Sequence, residues 1–380
     1  MKRTVCLVLA VSLLALPRCP AHAAAAEKPA LSIAAPSVIL MEKETGEVLY
    51  EKNADDPGFP ASVTKIMTML LIIEAMEKGA LSPEDTVVAS ARAASFGGSC
   101  VYLEAGERMS VRDMLKCIAV VSANDCAVAM AEHLCGSEEA FVKKMNDRAK
   151  ELGLQHTHFT NCTGLFEDLE HYSSARDIAL MSRELIRHEL IKNYSTIWMD
   201  SIRDGSFDLA NTNKLVYWYP GCTGLKTGYT STARYCLSAT AERSGVEYIA
   251  VVMHGETADS RNRDAETLLS YGFANYRLIP LSDSAPLPLL PVELGEKKSV
   301  PLALDGPAYQ VAEKGGEADY RLTLRSSVPA PVKKGQPLGS LRVTVGEKTI
   351  AEVPVCAAED VPRIGVIGIF KKLALSLFGI

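Results

Sequence analysis

Ser62-Val63-Thr64-Lys65 places a hydroxyl and an amine three residues apart at the head of an apolar run. On a helix that spacing sets both groups on one face, within hydrogen-bonding reach. A serine hydroxyl is a poor nucleophile until an adjacent base takes its proton, and a lysine kept neutral by burial and neighbouring cations can serve as that base. Two further motifs follow in chain order, Ser122-Ala123-Asn124 and Lys226-Thr227-Gly228. They add a second hydroxyl, an amide and a second ammonium. A serine followed at i+3 by a lysine occurs by chance in most chains of this size. The competing reading makes Ser62 a helix N-cap and Lys65 a solvated charge. The three motifs together favour a nucleophilic site.

The elements around them fit that use. Ile66, Met69, Leu70, Ile73 and Met76 recur at helical spacing, so Lys65 to Lys78 is expected to be a helix stopped by Gly79. Pro60 favours an extended entry, which leaves Ser62 in the first turn, where free N–H groups and the positive dipole end can hold an oxyanion. Ser110 reads as an N-cap before the stripe Met114, Leu115, Ile118 and Val121, and a second helical run spans Cys126 to Leu134. Ser122 and Asn124 would then sit in a short loop between two helices; the plainer alternative is an ordinary Ser/Asn turn. Lys226-Thr227-Gly228 precedes two strand-like runs, Tyr235 to Ala241 and Tyr248 to Met253, with Glu242 to Glu247 as the hairpin loop. Lys226 on a strand would bring positive charge to a substrate carboxylate. Gly228, with no side chain, would let a ligand backbone lie close.

These three motifs in this order are the signature of serine β-lactamases and penicillin-binding proteins. The chain resembles one family closely, the serine-type D-alanyl-D-alanine carboxypeptidases, which are low-molecular-mass penicillin-binding proteins. Ala61 to Thr68 is similar to that family's nucleophile block. Asn211-Thr212-Asn213-Lys214-Leu215, Pro220-Gly221 and Thr223 to Thr230 resemble its third block, and Tyr172-Ser173-Ser174-Ala175-Arg176-Asp177 resembles a helix-opening segment between the second and third. The similarity covers about residues 33 to 360. Two departures stand out: Cys222-Thr223 where relatives carry an acidic residue, and Leu165-Phe166-Glu167-Asp168 in place of a Gly-Leu-Asp sequence. Both are expected near the substrate groove.

The resemblance implies an α/β (α+β) catalytic domain of the serine β-lactamase/transpeptidase type, with an antiparallel sheet flanked by helices. It also implies roles: Ser62 as nucleophile, Lys65 as base, Ser122 as proton relay and Asn124 as an orienting amide. Lys226, Thr227 and Gly228 would bind the substrate's terminal carboxylate strand, and the backbone N–H groups of Ser62 and Tyr229 would form the oxyanion hole. The substrate would be a peptidoglycan stem peptide ending in D-Ala-D-Ala, with β-lactams as covalent inhibitors. No cofactor is implied. The alternatives are a β-lactamase, a D,D-endopeptidase, or a non-catalytic penicillin-sensing or wall-binding module. Glu167 and Glu170 lie in the interval for a deacylating glutamate, but no E-x-x-L-N pattern surrounds either.

The remaining chain fits an exported, two-domain protein. Its 380 residues suffice for one large and one small domain, its 48% hydrophobic content excludes a disordered chain, and its net charge of −6 argues against nucleic acid as a partner. Lys2-Arg3, the apolar run Val5 to Leu16 and Ala21-His22-Ala23 predict a cleaved signal peptide over 1–23. The catalytic domain is expected over 33–280 and a Pro/Ser-rich linker over 281–291. A small antiparallel β-sandwich should follow over 292–358, with strands at Ser299 to Leu304, Tyr320 to Leu324, Leu341 to Val345 and Thr349 to Val353. Residues 361–380, apolar around Lys371-Lys372, read as an amphipathic helix at the outer face of the cytoplasmic membrane. Of ten cysteines, eight remain after residue 23, expected as mostly free, buried thiols. His156 and His158 alternate but are too few to close a metal site.

Overall fold

The computed structural model describes residues 31–165, 168–281 and 287–370. The predicted signal peptide, Phe166 and Glu167, residues 282–286 of the predicted linker, and Lys371, Lys372 and the rest of the predicted tail to 380 lie outside these residues.

The catalytic region is built on a five-stranded antiparallel sheet. Its spatial order is Val48–Lys52, Ser37–Glu42, Val246–Gly255, Arg234–Arg243 and Cys222–Thr230. The two central strands are apolar on both faces because both faces are covered. Ile249, Val251 and Met253 join Ile39 and Met41 in the main core, where the buried sides of several helices meet. The alternate residues must face the other way. Tyr248 accordingly meets Phe273 of helix Ala258–Asn275, with ring centroids 4.8 Å apart. The hairpin between these strands is tighter than its sequence predicts. Strands Arg234–Arg243 and Val246–Gly255 leave only Ser244 and Gly245 between them, with φ of 52° and 77°. Two positive φ values in a two-residue loop match the twist of the strands it joins.

Helix Lys65–Glu77 is buried from Lys65 to Met76. Its apolar residues wrap all the way round, as a helix through the middle of a core requires. Each fully buried Leu, Ile or Met contributes about 1.5–3 kcal/mol, and that immobilises the turn in front of it. Helices Val111–Val120 and Asn124–Cys135 pack beside it, and Ser110 caps the former by accepting from the Asp113 N–H. Helix Ala175–Arg187 opens as predicted, with Ser174 Oγ accepting from Asp177 N.

The C-terminal region is all-β. A four-stranded sheet runs Leu302–Leu304, Lys348–Ala357, Pro337–Val345, Ala318–Leu324, and a three-stranded one Ser299–Val300, Leu290–Glu293, Val328–Pro329. Two points differ from the sequence expectation. Leu290–Glu293 pairs parallel with Val328–Pro329, a contact between short segments with no alternation to read. Strand Tyr276–Pro280 pairs antiparallel with Tyr309–Glu313, so the end of the catalytic region is already part of the β region. Ile279 and Leu281 pack with Leu341, Val343, Val353 and Val355 in one core. Among the described residues no helix is long and apolar enough to cross a membrane. Residues 366–370 are helical, with Val366, Ile367 and Phe370 exposed.

Candidate active site

The turn Ala61–Thr64 is 3₁₀-helical and runs directly into the buried helix. Ser62 caps nothing. Its Oγ accepts instead from Lys65 Nζ at 3.0 Å. Lys65 is fully buried, and its Nζ also reaches Asn124 Oδ1 at 2.6 Å and the Thr163 carbonyl at 2.9 Å. Burial penalises the ammonium and lowers its pKa to about 7. An amine with that pKa, touching a serine oxygen, can take a proton at neutral pH.

Ser122 occupies the predicted interhelical loop in a left-handed conformation, φ 65°, which is unusual for a residue with a side chain. Its Oγ is buried with no hydrogen-bond partner among the described residues, yet the residue lines the same cleft as Ser62. A buried hydroxyl left unpaired costs about 1–3 kcal/mol. Backbone strain and an unmet hydrogen bond of this kind concentrate at active sites and ligand clamps. Asn124 opens the next helix and is tied on both sides, with Nδ2 donating to the Gly97 carbonyl at 2.8 Å and its N–H to the Ser99 carbonyl at 2.7 Å.

Lys226, Thr227, Gly228 and Tyr229 lie on the outermost strand of the sheet, Cys222–Thr230. Thr227, Gly228 and Tyr229 line the ≈ 300 Å³ cleft. Lys226 is buried, its Nζ donating to the Thr227 carbonyl at 2.9 Å. Its pKa is pushed well below that of a free lysine, first by burial and then by the Lys65 and Arg261 charges. Gly228 is needed for a second reason besides its place in the cleft wall. A Cβ there would stand 2.8 Å from the Pro60 carbonyl and 3.0 Å from Val63 N, so glycine lets this strand close on the Ser62 turn.

Several residues at the site carried no signal in the sequence. Arg261, 5% exposed, lines the cleft from helix Ala258–Asn275 and leans on Asn262 Oδ1 at 2.8 Å. Among the described residues no carboxylate pairs with Arg261 or Lys226, which leaves two buried cations beside one opening. Asp125, buried next to Asn124, accepts the Val101 N–H at 3.1 Å and the Leu103 N–H at 3.1 Å, pinning the loop that brings Ser99 to the cleft. His171 Nε2 lies 2.8 Å from Thr64 Oγ1, while its Nδ1 accepts from Thr160 N at 3.1 Å. An accepting Nδ1 puts the proton on Nε2, and burial lowers the ring's pKa to about 4. A neutral imidazole therefore braces the turn that carries Ser62.

The two sequence departures have different outcomes. Thr223 does not line the cleft; its hydroxyl donates to the buried Glu247 at 2.7 Å, so the next-but-one strand of the sheet, Val246–Gly255, supplies a carboxylate at this position. Leu165 packs beside Gly98 near the Asn124 loop, and Glu167 lies outside the described residues. Glu170 is exposed and does not line the cleft. His156 and His158 stand away from the cleft lining, and His158 Nδ1 lies 2.6 Å from the Glu170 carbonyl. Eight cysteines from Cys100 to Cys356 are free thiols, five of them buried.

Residues 22–257 match the D-alanyl-D-alanine carboxypeptidase family, and residues 280–363 match the C-terminal domain of penicillin-binding protein 5. The chain is 44% identical over 345 residues to D-alanyl-D-alanine carboxypeptidase DacF of Bacillus subtilis (strain 168), covering 89% of this chain and 88% of that protein. It is 33% identical over 342 residues to DacA of Escherichia coli (strain K12), covering 87% and 84%. Among solved structures, penicillin-binding protein 5 of Haemophilus influenzae superposes with a TM-score of 0.79 at 30% identity, over 88% of this chain and 99% of that one. Penicillin-binding protein D2 of Listeria monocytogenes, solved in its ampicillin-bound form, matches 64% of this chain and 100% of that one at 34% identity, with a TM-score of 0.59. With a family match over most of its catalytic region and a 44% identical relative along nearly its whole length, the chain belongs to the serine-type D-alanyl-D-alanine carboxypeptidases.

Proposed function

We propose that Ser62 is the nucleophile by which this carboxypeptidase removes the terminal D-alanine from a peptidoglycan stem peptide. Ser62 Oγ attacks the carbonyl carbon of the penultimate D-alanine while its proton passes to Lys65 Nζ. The backbone N–H groups of Ser62 and Tyr229 hold the oxyanion, each donor worth about 2.7–4 kcal/mol by analogy with other acyl-transfer enzymes. Ser122 carries a proton to the leaving nitrogen, the C–N bond breaks, and free D-alanine departs. Water then hydrolyses the ester. Asn124 fixes Lys65 and meets the substrate amide. Lys226, Thr227 and Arg261 receive the terminal carboxylate, which selects for a free C-terminus. β-Lactams enter by the same acylation and stay as slowly hydrolysed esters.

One observation carries this reading: Lys65 Nζ lies 3.0 Å from Ser62 Oγ, in a site whose burial lowers the amine to about 7. The test combines penicillin labelling, read by intact mass, with an assay for D-alanine released from a stem pentapeptide. The wild type should take up one penicilloyl group and release D-alanine, and Ser62→Ala should do neither. A labelled Ser62→Ala protein would sink the assignment.

The same reading puts the enzyme outside the cytoplasmic membrane, exported by residues 1–23 and held at the lipid surface by 361–380. The exposed Val366, Ile367 and Phe370 support an apolar face that starts before residue 371. Removing 364–380 should abolish sedimentation with anionic liposomes and leave turnover of a soluble peptide unchanged. Undiminished sedimentation of the shortened chain would refute the anchor.

A further inference from the structure

The chain contains two tryptophans, Trp198 and Trp218, and each stands in or next to a chain segment that follows or precedes the cleft-lining Thr212 and Lys214. Trp198 stacks on Tyr217 with ring centroids 5.2 Å apart and planes inclined by 31°. Tyr217 is 69% exposed, Trp218 46% and the adjacent Met199 65%. Large apolar side chains gathered in the open, rather than scattered singly, mark a binding surface. They are held there by the backbone. The short helix Leu215–Trp218 buries only Leu215, and Asn211 takes the Trp198 carbonyl at 2.8 Å on its N–H and the Ile197 carbonyl at 2.7 Å on Nδ2.

This shelf continues the cleft. Thr212 and Lys214 line the cleft wall, the Tyr217 N–H donates to the Lys214 carbonyl at 3.0 Å, and the Thr212 N–H donates to the Val120 carbonyl beside Ser122 at 3.0 Å. The backbone of Tyr217 therefore lies about one helical turn, roughly 5 Å, along the chain from Lys214. If the last two residues of a stem pentapeptide fill the cleft, the other three extend roughly 10 Å at most before the sugar that carries them. A shelf at the rim is within that reach.

The chemistry suits a sugar. Flat aromatic faces take the C–H face of a pyranose ring, while the indole N–H and phenol O–H can bond its hydroxyls. A lipid surface would ask for a cluster of unpaired cations. Here Lys116 is already paired with Asp200 at 2.9 Å and Asp113 at 3.3 Å, and the exposed Lys214 by itself makes no cluster.

We propose that Trp198, Tyr217 and Trp218 form a saccharide subsite that holds the glycan strand whose stem peptide enters the cleft. The proposal rests on the carboxypeptidase reading above for the identity of the polymer. The subsite touches none of the reacting atoms, so it should act on glycan-linked substrate alone.

The test uses the full mature chain and its Tyr217→Ala/Trp218→Ala double variant, with Tyr217→Phe/Trp218→Phe as the conservative partner. Penicillin acylation and D-alanine release from a free pentapeptide should stay within about twofold of wild type, which also establishes that the variants fold. Release from glycan strands bearing the same pentapeptide should fall about 5–20-fold in the Ala variant, mainly through KM, and should largely return with Phe. Equal losses on both substrates, or none on either, would overturn the proposal. A direct readout does not depend on catalysis: glycan strands stripped of their peptides should shift the tryptophan emission of the wild type. An unchanged emission would overturn the subsite even if the enzyme releases D-alanine. A shift in an enzyme that releases none would uphold the subsite and reject the carboxypeptidase reading. If the double variant instead loses binding to anionic phospholipid vesicles while glycan binding persists, the shelf is a lipid contact and the proposal is wrong.

Discussion

If Lys65 is the base for acylation, the rate at which penicillin acylates this protein should follow the titration of that amine. The shift follows from its surroundings: full burial, with contacts to Ser62 Oγ, Asn124 Oδ1 and the Thr163 carbonyl, brings the amine to about 7. An amine with that pKa is about 9% neutral at pH 6, half neutral at pH 7 and about 91% neutral at pH 8. An ordinary lysine at pH 7 would be neutral in only about one molecule in 3,000, so burial raises the fraction of competent base on the order of 10³-fold. The second-order acylation constant, measured by stopped flow with a fluorescent penicillin between pH 5.5 and 9.5, should rise about tenfold per pH unit at the acid end and level off above pH 8. Lys65→Arg keeps the charge and cannot give up its proton. It should lose the rising limb and about 10²–10⁴ of the rate, the usual worth of a general base. A limb centred above pH 9, or a Lys65→Arg protein acylating within tenfold of wild type, would refute the reasoning.

Two further outcomes test the scaffold. Gly228→Ala places a methyl 2.8 Å from the Pro60 carbonyl, so it should slow acylation at least tenfold by pushing the strand off the Ser62 turn while leaving the urea midpoint little changed; unaltered acylation would show that the turn yields. His171 has its folded pKa lowered from 6.5 to about 4, so its neutral form supports the fold fully above pH 6.5 and that support is lost as pH falls towards 4. The loss amounts to about 3 kcal/mol by urea titration, and His171→Asn, which does not titrate, should flatten that part of the pH profile.

The sequence made the local parts of this site legible. Helix Lys65–Glu77 and its stop at Gly79 follow from apolar spacing and a glycine, the Ser110 cap from a short polar side chain ahead of an apolar stripe, and the helix opening after Ser174 from family resemblance. What it hid depends on distant closure. Thr163, whose carbonyl completes the Lys65 environment, is 98 residues away, and His171 is 107 residues from the threonine it braces. Arg261 gives no sign of its role because an arginine on an amphipathic helix ordinarily faces water. Gly228 is legible as a site of close approach, but a strand read alone cannot show that the backbone of Pro60 and Val63 also presses against it. The missing acid at Thr223 points to the substrate groove when the chain is read alone, but a carboxylate from two strands away, Glu247, meets its hydroxyl. The parallel pair between Leu290–Glu293 and Val328–Pro329 is too short to leave a pattern.

The pairing of Tyr276–Pro280 with Tyr309–Glu313 bears on how the protein can be cut. A limited digest that severed the chain after Leu281 would release a catalytic fragment ending in five residues stripped of their partner strand. Such a raw edge, with Ile279 newly exposed, invites pairing between fragments and precipitation. Cleavage at Asn275, where the helix ends, would leave no such edge. The soluble core of this enzyme should therefore stop at the last turn of its helix, a few residues short of where composition alone would draw the line.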